Sequence, residues 1–544
     1  SLAVSSFEGV SAGIPGSFMR VAAAAMRRRP PRMRDDGGFS PWRIGGCYRP
    51  MPDDNALAAA PATKPTPIAA PAPFATGRRT RLVAVIVASA LFMQNLDSTV
   101  IATALPTMAR AFGSDAVHMN VALTSYLLSL AVFIPASGWM ADRFGTRTVF
   151  RAAIAVFTIG SILCGQANGL TFLVAARVLQ GMGGAMMVPV GRLVLLRTVA
   201  KSELVAVMAW LTTPALVGPV VGPPIGGFIV TYMSWRWIFY INIPIGVLGI
   251  VLVSVFIADV REPRPARFDG WGLLWSGLGM AGLMFGLETA GRGVFPVAAS
   301  AIMIGAGLAG ALLYLLHAGR TASPLLDLKL LRLPSFAVPV GAGTLFRVGI
   351  GAIPFLLPLM LQIGFGRSAV QSGLVTFASS AGALVMKPAT QFMLRRLGFR
   401  DTLVWNSILC ALLVGACGAF RPTWPAAAIY AVLLAGGFFR SLQFTAYNAL
   451  AYADIPRARM SAATSLYSCI QQLSLTLGIS CGAAALEVSM ALHRRTVPGV
   501  ADFTVAFVAV AAISLLAAPA ALAMPRDAGA ELAGRSAARK SGAR

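Results

Sequence analysis

One carboxylate stands inside a run apolar enough to cross a bilayer: Asp97, between Leu82 and Met108. A charge at that depth costs about 3 kcal/mol even on lenient insertion scales, so an acid there marks a proton or cation pathway by default. Of the 20 Asp and Glu residues it alone lies near the middle of an expected span; Glu288 and Glu487 come next and sit near span ends. Arg177 is its natural counter-ion. Asp97 lies about 15 residues into its span and Arg177 about 7 into another that runs the opposite way, roughly 22 and 10 Å of helix. In a hydrocarbon core about 30 Å thick these depths nearly coincide. Burial disfavours a charged carboxylate while a guanidinium favours it. A group balanced between the two would exchange a proton as the surrounding cavity opened to either side. The plainer alternative is a static ion pair that fixes helix packing.

Composition says what kind of element must hold that pair. The chain has 544 residues, 57% hydrophobic and 12% charged, with a mean hydropathy of +0.73. Soluble domains carry about 25% charged residues, so this is an integral membrane protein. The net charge of +25 does not point to nucleic acid, because the basic residues sit in the polar head, the tail and the short loops, without aromatic interleaving. Six cysteines show no paired spacing and the three histidines are scattered, so neither a metal site nor a disulfide framework is expected. No nucleophile, metal or nucleotide motif marks an enzyme.

A helix needs about 20 apolar residues to span the core. Runs of that kind centre near residues 92, 129, 157, 183, 218, 248, 279, 306, 348, 380, 410, 436, 474 and 513. Fourteen spans place both termini on one side. Loops on that side carry two or three basic residues each, such as Arg261, Arg264 and Arg267, against about one in the opposite loops, so both termini are cytoplasmic. Residues 1–79, rich in Ala, Pro and Arg, read as a disordered extension with a mis-set start as the simplest origin. The spans then divide as a six-helix bundle at 80–260, two linking helices at 261–332, a second six-helix bundle at 333–525 and a cytoplasmic tail at 526–544.

The division rests on an internal repeat. Trp139-Met-Ala-Asp-Arg-Phe-Gly-Thr-Arg147 aligns with Phe392-Met-Leu-Arg-Arg-Leu-Gly-Phe-Arg400, eight spans later. Parallel repeats of this kind belong to transporters whose halves rock about a central site. In the first copy Gly138 and Gly145 allow close approach and a tight turn. Asp142, Arg143 and Arg147 are placed to pair across the cytoplasmic mouth as a gate; Arg395 replaces the acid in the second copy.

Two further stretches bear on mechanism. In Gly218-Pro-Val-Val-Gly-Pro-Pro-Ile-Gly-Gly227, Pro219, Pro223 and Pro224 kink the helix, and Gly218, Gly222, Gly226 and Gly227 offer a small-residue face. The second half carries Arg347, Lys387 and Arg440 within spans and no deep acid. Gln180, Arg347, Arg440, Gln443 and Asn448 are the candidate lining of a substrate cavity; Arg440 and Gln443 share a helix face, with Asn448 near it. The simpler reading of Lys387 and Arg440 is snorkelling to the interface.

The 138–147 loop is similar to the signature loop of the major facilitator superfamily. Arg177-Val-Leu-Gln-Gly-Met-Gly-Gly-Ala185 and the 218–227 stretch resemble its drug:proton antiporters, the latter their antiporter motif. Leu96-Asp-Ser-Thr-Val100 with Ala104-Leu-Pro106, and Trp235-Arg-Trp-Ile-Phe-Tyr-Ile-Asn-Ile-Pro-Ile-Gly246, resemble the fourteen-span subgroup. The resemblance covers about residues 80–525. It implies an all-α membrane protein of 6 + 2 + 6 helices that exports amphipathic, drug-like molecules from a bacterial inner membrane in exchange for protons. Asp97 would then carry the proton and Arg177 tune it. The proton gradient is the energy source and no cofactor is needed; the partners are substrate, protons and lipid, with a monomer expected and a periplasmic adaptor subunit left open. Alternatives are a transporter of a specific metabolite such as an organic anion, and a sensor that does not transport.

Overall fold

Apolar sequence in lipid must satisfy its own backbone, which leaves helices as the local solution. The computed structural model describes residues 78–532 apart from 114–115, 201–202, 263–264, 291–295 and 527. The expected extension, its start and most of the tail lie outside the described residues. The long helices of the first half are α1 (Arg78–Ala111), α2 (Ala116–Phe133), α4 (Thr146–Gly165), α5 (Leu170–Thr198), α6 (Leu204–Tyr232) and α8 (Asn242–Phe256). Helix α2 passes through a 3-10 turn at Ile134–Ala136 into the short α3 (Ser137–Phe144), and α7 (Trp237–Tyr240) precedes α8. Then come α9 (Gly270–Ala290) and α10 (Val297–Arg320). The second half holds α11 (Pro334–Leu359), α12 (Ala369–Leu397), α13 (Phe399–Gly418), α14 (Ala426–Leu450), α15 (Met460–Leu492), α16 (Val500–Leu515) and the short α17 (Ala517–Leu522).

Among the described residues, 12 helices are long and apolar enough to cross a membrane. Two more of 29 residues each, α6 and α12, stand where the fifth and tenth spans are expected. Helix α6 continues as helix through Pro219, Pro223 and Pro224.

The repeat has a backbone counterpart. A single glycine separates α3 from α4 and α12 from α13, Gly145 with φ 93° and ψ 144° and Gly398 with φ 83° and ψ 168°. Only glycine adopts that conformation without strain. The first turn is also crowded, since a Cβ on Gly145 would collide with the Asp259 carboxylate. The linking helices α9 and α10 pair through facing glycines, with a Cβ on Gly282 only 2.7 Å from the Gly307 Cα and one on Gly310 2.7 Å from the Gly279 nitrogen. Such small-residue contacts drive association where water does not. Helix α9 packs on both α2 and α15, so the hairpin flanks a seam where the two halves meet. The outer flank of α10, with Ile302, Leu308 and Leu312, is exposed, as a lipid-facing surface should be.

Candidate functional site

Helices α1, α4, α5 and α8 bring polar side chains to the same buried point, two of them from α5. Asp97 is 3% exposed and Arg177 fully buried. Arg177 Nη1 donates to Asp97 Oδ2 at 2.7 Å. Asp97 Oδ1 accepts from Gln180 Nε2 at 2.8 Å and from Asn242 Nδ2 at 2.9 Å. Those two amides also donate to Ser161 Oγ, at 2.7 and 3.1 Å. Arg177 is held further by its Nε bond to the Ala122 carbonyl at 3.3 Å and by the Tyr126 ring 4.3 Å from its Cζ. Asp97 and Arg177 therefore meet in a direct ion pair inside a buried cage of amides and a hydroxyl.

Around that pair the structure adds what spacing alone did not reveal. Asn242 and Ser161 complete the cage; the one available signal for Asn242 was an amide within the 235–246 stretch. Gln180 belongs to this cage and not to the lining of a substrate cavity, because one helical turn from Arg177 turns it toward the same acid. Three polar atoms of the cage, Arg177 Nη2, Asn242 Oδ1 and the Tyr126 hydroxyl, are buried without a partner. Charge-assisted bonds to the ionised acid are the strong ones. Protonating Asp97 would weaken the Arg177 contact and unbalance the four-helix junction.

The 218–227 segment bears on the same helix. A Cβ on Gly218 would lie 2.8 Å from Asn95 Cβ and 3.1 Å from the Leu96 nitrogen, and one on Gly222 would strike the Thr99 side chain. Thr99 also donates to the Gly218 carbonyl at 3.4 Å. Asn95 and Thr99 thus face α6 while Asp97, between them, faces α5. Gly227 departs from the expected contact face, with nothing within 4 Å of an added Cβ. The side chains of Pro219 and Pro223 lie outside the described residues. Gly218→Ala is expected to separate α1 from α6 and lower transport several-fold, whereas Gly227→Ala leaves it within error; equal transport rates for the two would refute the contact.

At the cytoplasmic ends the gate is wired differently from the expectation. Asp142 pairs with Arg197 on α5 at 2.7 Å and accepts the Ser461 hydroxyl from α15. It does not pair with Arg143 or Arg147. Arg143 is exposed, and Arg147 donates its backbone N–H to Asp259 at 3.2 Å. Arg143, next to the acid on α3, points away from it as adjacent helical residues do, and Arg147 lies beyond the turn at Gly145. Gly138 N–H donates to Ser465 Oγ at 2.8 Å, and the Ser137 and Ser465 hydroxyls lie 2.9 Å apart. The bonds made by Ser137, Gly138 and Asp142 tie α3 to α15 on the side that the loop charges lead us to expect as cytoplasmic, so the two halves touch there.

The candidate cavity residues of the second half do not form one wall. Gln443 is fully buried and turned toward α13, bonding Asn406 at 2.7 Å and Ser407 at 2.6 Å. Asn448 donates to the Phe444 carbonyl of its own helix at 2.7 Å. Arg440 bonds Ser379 at 3.0 Å and lines a pocket with Cys410 and Ile350 inside the half. Lys387 reaches Thr445 at 3.3 Å. Arg347 is different: it is 1% exposed, rests over the Tyr467 ring at 4.9 Å, and donates to the Tyr467 hydroxyl.

Comparison with known proteins agrees with this architecture. The sequence profile of the Major Facilitator Superfamily matches residues 87–479 and 340–541. A protein of Pectobacterium carotovorum, provisionally named multidrug resistance protein MdtD, is 38% identical over 439 residues, 80% of this chain and 93% of its own. Its Salmonella typhimurium namesake is 40% identical over 403 residues, 73% of this chain and 84% of its own. Among solved structures, the human organic anion transporter MFSD10 superposes with a TM-score of 0.59 at 13% identity, over 81% of this chain and 99% of that one. The proton:xylose symporter XylE superposes at 0.58 and 14%, over 84% and 98%. At those identities the structural likeness speaks for the fold.

Proposed function

The chain belongs to the major facilitator superfamily, and on that premise we propose that it exports amphipathic, drug-like small molecules in exchange for protons. It is a multi-pass membrane transporter and not an enzyme. The observation that carries the proton coupling is the mid-span carboxylate Asp97, caged by Arg177, Gln180 and Asn242 at the junction of four helices. A proton arriving on Asp97 removes the charge that three donors share, and α1 is the helix against which the 218–227 segment packs. Protonation state is thereby linked to how the helices of the first half sit. The cytoplasmic contacts at Ser137, Gly138 and Asp142 are the ones that must part when the site opens inward. The reading places the protein in a bacterial inner membrane, in keeping with the bacterial origin of its relatives, and takes the proton gradient as its energy source.

The test is direct. In liposomes holding the purified protein and an imposed pH gradient, adding a transported compound should release protons in proportion to its flux. A compound panel that moves no protons at all would overturn the reading.

A further inference from the structure

Two arginines from opposite halves meet on one aromatic ring, and neither pairs with a carboxylate among the described residues. Arg192 on α5 and Arg347 on α11 are 4% and 1% exposed. Their guanidinium carbons lie 5.3 and 4.9 Å from the centroid of the Tyr467 ring, so they are no farther apart than the sum of those distances. Arg192 donates to the Tyr452 hydroxyl at 3.1 Å and to Gln471 Oε1 at 3.2 Å, both across the seam between the halves. Arg347 donates to the Tyr467 hydroxyl. Arg347 Nε and Nη1 and Arg192 Nε remain buried without an acceptor. The ion pairs among the described residues use other cations, Arg177, Arg197, Arg261 and Arg459 among them.

An uncompensated buried charge is costly, and a cation–π contact returns only a small part of that cost. What the pair lacks is an anion, and its aromatic surroundings fit one with a flat apolar body. Phe444 lies 5.9 Å from the Arg347 guanidinium carbon, and the Tyr452 and Tyr467 centroids are 5.6 Å apart. We propose that Arg192 and Arg347, with Tyr467 between them, bind the carboxylate of an aromatic organic anion that the protein exports. This rests on the export reading above and names its substrate class.

The placement also supplies a reason for the halves to close on cargo. Bringing the ends together forces two guanidiniums toward each other, and their repulsion opposes closure. A carboxylate between them reverses that sign, so closing over a loaded site is favoured relative to closing over an empty one. Release to the outside then restores the repulsion and helps to reset the cycle.

Equilibrium binding in detergent, which needs no proton flux, tests this separately from export. The probes are 2-naphthoate and its neutral analogue 2-naphthamide, followed by fluorescence and by thermal stabilisation of the full chain. Naphthoate should bind the native protein with at least tenfold higher affinity than naphthamide. Arg347→Gln and Arg192→Gln should each weaken naphthoate at least tenfold and leave naphthamide unchanged, while Arg347→Lys retains part of the preference. Because each Gln variant removes a buried unpaired charge, its ligand-free melting temperature should hold or rise. Equal binding of the two probes, or naphthoate binding indifferent to both arginines, would overturn the proposal even if drug-coupled proton release is intact. So would saturable stabilisation by chloride that naphthoate cannot compete away, which would make the pair a halide site. Loss of proton coupling with the naphthoate preference intact would instead count against export alone.

Discussion

Asp97→Asn is expected to abolish substrate-driven proton release, by more than tenfold, while exchange of substrate down its own gradient continues within a few-fold of the native rate. Asparagine keeps the size of the side chain and leaves an oxygen for the Gln180 and Asn242 amides, 2.8 and 2.9 Å away in the native cage. It cannot carry the proton. In the native protein, proton and substrate compete through the same conformational equilibrium, so substrate affinity should weaken as pH falls; in the variant it should be flat with pH. The cost falls on Arg177, which loses its anion at 2.7 Å but keeps the Ala122 carbonyl and the Tyr126 ring. Breaking a buried pair from one side costs about 3–5 kcal/mol, so some loss of thermal stability accompanies the change. The double variant Asp97→Asn/Arg177→Gln separates this reading from a static pair. If the pair only fixes packing, removing both charges restores stability and proton release together. If Asp97 carries the proton, stability returns and proton release does not. A single variant that still releases protons on substrate addition would end the coupling role.

The parts of this site visible in the sequence were those set by depth along a helix. Asp97 and Arg177 could be matched because rise per residue is fixed, and the two glycine turns because a loop motif recurs. What stayed hidden depends on rotation and on partners far along the chain. Gln443 shares a helix face with Arg440 by spacing, yet which way that face points is decided by packing, and it turns toward Asn406 and Ser407. Asp142 has cations one and five residues away, but Arg143 leaves the helix in another direction and Arg147 lies beyond the turn at Gly145, so Arg197, 55 residues on, takes the place. Arg192 gave no sign at all. Six residues from the cytoplasmic end of α5, near Arg197, it reads as one more basic residue at a membrane boundary, and only the tertiary fold puts it on Tyr467. The fifth and tenth spans show the opposite case: their length was legible, and the structure places a 29-residue helix at each.

Gly138→Ala should hold the cytoplasmic side apart and cut transport between about five- and 150-fold. The range follows from an overpacking cost of about 1–3 kcal/mol acting on a two-state equilibrium. A Cβ at this position would lie 2.6 Å from the Ser461 carbonyl oxygen and 2.7 Å from Ser465 Oγ. The serine side chain can rotate, but a backbone carbonyl in α15 moves only with its helix. Within α3 itself the change is favourable, since alanine exceeds glycine in a helix by about 0.5–1 kcal/mol. The penalty therefore falls on the closed arrangement, where α3 meets α15, and spares the fold of either half. That asymmetry makes the variant informative: it should express and melt like the native protein, yet populate the inward-open state. Double electron–electron resonance between labels at the cytoplasmic ends of α3 and α15 should show a longer distance gaining weight. Ser465→Gly in the same chain should recover part of the transport by removing the nearer side-chain obstacle, with the remainder blocked by the Ser461 carbonyl. A native distance distribution alongside slow transport would mean that Gly138 acts elsewhere than at this contact. An unchanged distance with unchanged transport would mean that the halves do not need the approach that Ser137, Gly138 and Ser465 make.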